Sequence, residues 1–351
     1  MSCWLVTGGA GFIGSNFVRL LAASEQSASI VVLDALTYAG NLENIADFLH
    51  PGKIDFVRGD ITDADALSGV FRKYPVTKVV HFAAESHVDR SILGPRAFVR
   101  TNVEGTCNLL EAAREAWEGD YANRLFLHVS TDEVYGDLEA EGSAFNEETP
   151  FNPSSPYSAS KAASDHLVLA WYRTFGLPAI ISNCSNNFGP YQFPEKLIPL
   201  FVLNALDGRP LPVYGDGLQV RDWLHVTDHC EAIAKIIESG TPGQTYCVGG
   251  NNERTNLDIV QRVCVSVDEL TGRPAGTSLK LVKHVKDRPG HDRRYAIDSS
   301  KLKKELGWSP RFDFDEALPD VVRWYMENRA WSDRVRTGEY RKYYTEQYAS
   351  V

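Results

Sequence analysis

Thr131, Asp132 and Glu133 are consecutive in HVSTDEVYG, at the end of an apolar run, LFLHVS, that has the pattern of a buried strand. Burying a carboxylate without a partner is costly. Two side by side therefore need a reason, either acid–base chemistry or the capping of the turn that follows. Further on, SSPYSASK sets Tyr157 and Lys161 four residues apart, on one face of a helix opened by Ser155 as cap and Pro156 in the first turn. An ammonium near a phenol favours the phenolate, moving a group of pKa about 10 toward the range of a general base. The same spacing also arises by chance on solvated helix faces, so the pair gains meaning only beside a cofactor site.

Such a site is written at the start of the chain. VTGGAGFIGSNFVRLL places Gly8, Gly11 and Gly14 at G-x-x-G-x-x-G spacing, between a strand and a helix. This is a relative of the G-x-G-x-x-G fingerprint: glycines permit the tight turn and close approach of a pyrophosphate to a helix N-terminus. Asp34 ends the next strand, VVLD, twenty residues beyond Gly14. A carboxylate there binds both ribose hydroxyls of NAD and repels a 2′-phosphate. With Ala35, Leu36 and Thr37 following and no arginine, NAD is preferred over NADP. Asp60, ending VRGD, is either an acceptor for the adenine amino group or a plain helix cap.

The elements that must hold these residues follow from the pattern. CWLVTG, SIVVLD, IDFVRGD, KVVHFAA, LFLHVST, AIISNCSN and TYCVGG read as strands separated by amphipathic helices, which predicts a doubly wound parallel (Rossmann-type) α/β sheet. After about residue 188 the alternation loosens into stretches rich in proline, glycine and charge. RDWLHVTDHCEAIAKIIE and TYCVGG resume it. The expected division is an NAD-binding domain of residues 1–187 with 221–250, and a smaller, discontinuous C-terminal substrate domain of 188–220 with 251–351. At 351 residues the chain suits two units, and 43% hydrophobic with 23% charged residues is the composition of a globular protein. The net charge of −10 argues against general nucleic-acid binding, while leaving room for a local arginine cluster holding a small anion. Six scattered cysteines without a CxxC pair read as reduced thiols. With no apolar run of about 18 residues and no signal peptide, the expectation is a cytoplasmic protein without a membrane partner. His225 and His229 have i, i+4 spacing but no evident third ligand, so packing or capping is favoured over zinc, and no metal site is expected.

TGGAGFIG, NVEGT at 102–106 and YSASK together resemble the extended short-chain dehydrogenase/reductase superfamily over nearly the whole chain. TDEVYG, NCSNNFGPYQFPEKLIP, VRDWLHVTDH and RPGHDRRYAID are similar to the dTDP-glucose 4,6-dehydratase subfamily. The resemblance implies an NAD-dependent hydro-lyase in which Thr131, Asp132, Glu133, Tyr157 and Lys161 are catalytic. Tyr157 would act at C4, Glu133 as base at C5, Asp132 as acid at the C6 hydroxyl, and Thr131 as a partner of the C4 oxygen. It implies that Phe12, Ile13, Thr37, Ile61, Ala83, Ala84, Ser86, Thr101 and Asn187 join Gly8, Gly11, Gly14, Asp34, Asp60, Tyr157 and Lys161 around the cofactor. It also implies a substrate site of Ser86, His87, Thr131, Asn186, Glu195, Lys196, Leu197, Pro212, Val213, Arg221, Asn256, Arg288 and His291, and a homodimer formed through the helices after NVEGT and Tyr157. The alternatives are a UDP-glucose dehydratase, an epimerase or decarboxylase of the same fold, and an NAD-binding scaffold without activity. Sugar epimerases of this superfamily carry small hydroxylated residues where this chain has Asp132 and Glu133, which favours the dehydratase.

Overall fold

The computed structural model describes residues 2–24, 28–139 and 142–336. The end of the expected substrate domain, 337–351, lies outside the described residues. The first six strands are β1 (Cys3–Thr7), β2 (Ser29–Asp34), β3 (Ile54–Arg58), β4 (Lys78–His81), β5 (Leu125–Thr131) and β6 (Ala179–Cys184). They are followed by β7 (Asn186–Phe188), β8 (Leu211–Tyr214), β9 (Val220–His225), β10 (Thr245–Val248), β11 (Glu253–Thr255) and β12 (Val282–Val285).

The seven runs read as strands from the sequence make one parallel sheet, in the order β10-β6-β5-β4-β1-β2-β3. Both faces are covered by apolar clusters, one including Phe17, Val32 and Ile233, the other Leu5, Leu109 and Phe126. That is why these strands read as continuous apolar runs with no alternation. Strand order reverses between β1 and β4, and in such sheets the crevice at the carboxyl ends of the strands beside the reversal receives the ligand. Gly8 follows β1 there and Ala83 follows β4.

A separate apolar core gathers Phe188, Leu203, Trp223, Val263, Phe314 and Tyr325 from the later part of the chain. β9, which the sequence groups with the first domain, pairs with β7 and β11 in a three-stranded sheet and not with the large one. The helix after it, Val226–Ser239, does return to the large sheet, packing Cys230, Ile233 and Ile236 into its cluster.

That helix also places the two histidines. His225 caps it by accepting the Thr227 amide (3.3 Å) and its ring stacks on Phe312. His229 Nδ1 lies 2.9 Å from Asn187 Oδ1 in the interior. Burial pushes the His229 imidazole down to about 3. Folding therefore excludes a proton that the unfolded chain binds below its ordinary pKa of about 6.5, so this group's contribution is present above that pH and is lost as pH falls toward 3. We expect His229→Gln to be destabilised at pH 7, with a deficit that shrinks by roughly 2 kcal/mol at pH 5, since one proton is worth about 1.4 kcal/mol per pH unit. Urea unfolding of both proteins at the two pH values measures it, and an unchanged deficit contradicts the assignment.

Candidate active site

The glycine turn is shaped by close approach. Gly8 has φ +69°, and a Cβ there would sit 2.6 Å from the Ala83 nitrogen; one on Gly14 would sit 2.3 Å from the Gly8 carbonyl oxygen. Gly11 is the N-cap of the helix Phe12–Ala23, leaving the first amides of that helix directed at the crevice. Asp34 closes the far side. Its Oδ2 accepts the Ala10 amide (3.0 Å) and its Oδ1 the Leu36 amide (2.8 Å), so the carboxylate also braces the turn it faces. Bare amides, an exposed helix N-terminus and a fixed carboxylate at this spacing fit a dinucleotide with free ribose hydroxyls. Phe12, Ile13, Thr37, Asp60, Ile61, Ala83, Ala84, Ser86, Thr101 and Asn187 line the same cleft. Asp60 lines the cleft and is not the helix cap: its Oδ1 accepts the Thr62 amide at 2.8 Å in a local turn, and Asp63 caps the helix Ala64–Lys73.

The floor of the cleft is the end of β5. Thr131 caps the short helical turn Asp132–Tyr135 through the Glu133 amide (3.3 Å), so neither carboxylate is needed as the cap. Glu133 lines the cleft with Thr131, Tyr157, Lys161, Cys184 and Asn186. Asp132 is not among the lining residues. It is 1% exposed, with one oxygen 3.3 Å from the Thr131 hydroxyl and the other without a hydrogen-bond donor. Burial raises the Asp132 carboxyl well above its ordinary range, helped by Glu133 and Asp222, so it holds its proton more tightly than an exposed carboxyl does. Burial also raises Glu133, but Arg288, Arg221 and Lys196 oppose the rise. Two neighbouring carboxyls are thereby given different acidities, the arrangement that lets one donate and the other abstract a proton.

Tyr157 departs from expectation. Burial, Glu133 and Cys184 hold its phenol well above 10, and a hydrogen bond with Thr131 opposes them. Lys161 lines the cleft but its ammonium is committed inward, donating to the Val129 carbonyl (2.9 Å) and lying 3.2 Å from His128 Nε2.

The other substrate candidates divide into two groups. Ser86, Asn186, Glu195 and Lys196 reach the cleft wall, with Lys196 Nζ donating to the Ser86 carbonyl (2.7 Å). Arg221 and Arg288 lie within electrostatic reach of Glu133, and His291 within reach of both arginines. Arg221 is anchored by the Val220 and Asp292 carbonyls, its guanidinium 4.2 Å from the Tyr295 ring. Arg288 pairs with Asp89 at 2.9 Å, and His291 Nδ1 lies 2.6 Å from Asp287. His87 is buried at the start of the helix Val88–Leu93. Leu197 opens the helix Leu197–Asp207, Pro212 and Val213 lie on β8, and Asn256 opens the helix Asn256–Thr271. None of these last four lines the main cleft.

Residues 5–321 match the family model described as GDP-mannose 4,6 dehydratase. This chain belongs to that family. It is 55% identical to a dTDP-glucose 4,6-dehydratase of Xanthomonas campestris pv. campestris (strain B100), over 97% of this chain and 98% of the relative. Its fold matches the crystal structure of DesIV, a dTDP-glucose 4,6-dehydratase from Streptomyces venezuelae with NAD bound, with a TM-score of 0.87 and 46% identity, covering 95% of this chain and 99% of that one. It also matches a UDP-glucose 4-epimerase from Thermus thermophilus in complex with NAD, with a TM-score of 0.81 and 32% identity over 93% of this chain and 99% of the epimerase. A dehydratase and an epimerase match this backbone at TM-scores of 0.87 and 0.81, so the backbone alone does not separate the two activities.

The sequence reading missed several residues of the site. Gln192 and Phe193 line the cleft from within a stretch already singled out, YQFPEK. Asp89 holds Arg288 but lies 199 residues away from it, a pairing that no local spacing reveals. Asp165 continues the four-residue spacing of Tyr157 and Lys161 and was legible as a third member of that face.

Because Asp34 both faces the ribose position and holds two turn amides, Asp34→Ala should lose affinity for NAD, narrow the difference between NAD and NADP, and lower the melting temperature. Titration calorimetry with each dinucleotide, alongside a thermal melt, measures all three. An unchanged NAD preference would mean that the carboxylate does not touch the ribose.

Proposed function

We propose that this protein is a dTDP-glucose 4,6-dehydratase, converting dTDP-glucose to dTDP-4-keto-6-deoxyglucose and water with tightly held NAD. The observation that carries this reading is the unequal setting of two adjacent carboxyls beside Tyr157: burial raises both, but Glu133 and Asp222 add to the rise of Asp132 while three cations oppose that of Glu133. The names of the relatives at about half identity supply the nucleotide and the cofactor. Bound NAD supplies a hydride acceptor at C4 and the same hydride for C6. The protein's own groups manage the protons. Tyr157 is assigned to take the proton of the C4 hydroxyl, with Thr131 hydrogen-bonded to the same oxygen. For this it must first ionise, against the burial and the Glu133 charge that hold its phenol up, so the role needs the positive charge of bound NAD and of Lys161. The C4 ketone acidifies the adjacent C5–H, which Glu133 removes. Asp132, buried next to the lining residues Thr131 and Glu133, is assigned as the proton donor to the C6 hydroxyl that departs as water, and the proton held by Glu133 returns to C5 when C6 is reduced. Arg221, Arg288 and His291 are assigned to the diphosphate, since planar guanidinium groups suit its oxygens. Binding diphosphate would draw Arg288 away from Asp89.

The division into residues 1–187 with 221–250 and 188–220 with 251–351 remains our assignment of cofactor and substrate units. The second apolar core supports it in the main, with Trp223 of β9 crossing into that core and Leu302 and Trp308 into the first. We also assign the protein to the cytoplasm and to deoxysugar synthesis, with rhamnose as one destination. No helix among the described residues is long and apolar enough to cross a membrane.

Incubation with dTDP-glucose or UDP-glucose, without added NAD, tests the reading through the alkali-sensitive absorbance of a 4-keto-6-deoxy sugar. Turnover that consumed NAD stoichiometrically would make the protein a net oxidoreductase. In Asp132→Asn, C4 oxidation should survive while C6 departure slows. In Glu133→Gln, exchange of the C5 hydrogen with solvent should collapse. Tyr157→Phe should instead stop the first step. A positioned acid or base is worth about 100- to 10,000-fold in rate, so stopped-flow absorbance of the reduced cofactor with deuterium incorporation at C5 resolves the three. Wild-type dehydration by Asp132→Asn would place the acid elsewhere.

We further assign a homodimer. Tyr172 and Phe175 are exposed on the helix that carries Tyr157, and Leu93 and Val99 on the helical segments that precede Gly105–Trp117; burying such residues against a second copy removes apolar surface from water. Light scattering at micromolar concentration should give the mass of two chains; a monomeric mass contradicts the assignment.

A further inference from the structure

Behind Lys161 the interior holds titratable groups that the proton steps above do not use. His128 Nε2 lies 3.2 Å from Lys161 Nζ and 3.3 Å from Asp165 Oδ1, so one ring nitrogen stands between the ammonium and a carboxylate. The Ser164 hydroxyl is 3.1 Å from that same nitrogen. Asp165 follows Lys161 by four residues on the helix Pro156–Phe175, as Lys161 follows Tyr157. Its Oδ2 accepts from the Ser130 hydroxyl (2.9 Å) and the Asn183 amide (3.1 Å). His128, Lys161 and Asp165 are all buried, so water does not screen charge among them.

We propose that Asp165 is a positioning residue for the reaction, the buried counter-charge that keeps Lys161 an ammonium behind Tyr157, with a neutral His128 as the spacer between them. The inference rests on the reading of Tyr157 and Lys161 as the C4 base and its support. The other titratable groups facing Lys161 do not supply that charge. Tyr157 from the same helix has its phenol raised, and Cys184 from β6 has its thiol raised, so both are neutral. His128 from β5 and His81 from β4, with ring centroids 5.1 Å apart, are both driven well below the usual imidazole range by burial and stay uncharged. Asp165 is the anion of this set. Burial raises it to about 6 and Lys161 opposes the rise, while burial lowers Lys161 to about 8 and Asp165 opposes that fall. Between those values both are charged.

The sign follows directly. Lys161 supports the phenolate only while protonated, so activity falls as pH rises through its pKa. Removing the Asp165 charge lowers that pKa further, and the alkaline limb of kcat/KM moves to lower pH. Asp165→Asn keeps an acceptor for Ser130 and Asn183 and changes little else. We expect its alkaline limb to shift down by about 1 pH unit, since an opposite charge within about 4–6 Å moves a pKa by roughly 1–3 units. Ser164→Ala, which alters packing at the same ring but no charge, should leave the limb where it is.

The ¹³Cε resonance of Lys161, assigned by its loss in Lys161→Arg, gives the titration without substrate and thus independently of the reaction assigned above. Its midpoint should move down with the limb in Asp165→Asn. In the unmodified protein it should carry a smaller inflection near pH 6, where Asp165 ionises. This second measurement does not depend on Asp165→Asn folding. The proposal is overturned by an unmoved midpoint in a folded Asp165→Asn, by an equal shift in Ser164→Ala, or by the absence of the inflection near pH 6.

Discussion

Desolvation of the carboxyl pair at the end of β5 constrains the rest of the molecule. An ionised carboxylate in a closed interior must find positive charge or give up its own. Asp132, at 1% exposure beside another carboxyl, gives up its charge. Glu133 is answered by Lys196, Arg221 and Arg288, none of which comes from a strand of the large sheet. The second apolar core and its two small sheets are the structures that carry these cations to the cleft. Those cations themselves need support: Arg221 is held by two carbonyls and an aromatic face, and Arg288 by Asp89, whose other oxygen accepts the Tyr214 hydroxyl at 3.1 Å. The acidity of one turn is therefore set by residues spread over about two-thirds of the chain.

What the sequence made legible was whatever a short window can contain. Seven parallel strands buried on both faces have to be apolar throughout, and they read so. A turn that brings backbone to within a Cβ of Ala83 has to be glycine, and Gly8 and Gly14 are. Tyr157 and Lys161 lie on one helical face because of their spacing. Long-range effects were beyond such windows. β9 carries the apolar signature of a sheet strand, yet the small sheet with β7 and β11 claims it, a choice of partner that the strand itself does not encode. The phenol of Tyr157 was expected to be lowered by its lysine, but desolvation and the facing Glu133 dominate. Asp89 and Arg288 meet only because the second core folds back over the helix Val88–Leu93.

The likeness to an epimerase at a TM-score of 0.81 bears on where chemistry is chosen within this fold. In the reading proposed above, the glycine turn, Asp34, Tyr157 and Lys161 suffice for moving a hydride on and off a sugar carbon. Elimination of water adds two proton transfers on adjacent carbons, which requires one carboxyl that holds its proton and one that has lost it. Residue type cannot supply that difference, because Asp and Glu in water differ by only about 0.4 pKa unit. Geometry supplies it. At the end of β5 the chain leaves its extended conformation and enters the short helical turn Asp132–Tyr135. Two consecutive side chains at such a junction diverge: Asp132 faces the Thr131 hydroxyl and the protein interior, Glu133 the cleft and its cations. Thr131 satisfies the turn's free amide, which releases both carboxyls from capping. Capping and catalysis, which the sequence presented as competing reasons for an acidic pair at a strand end, are thus divided between Thr131 and its two neighbours.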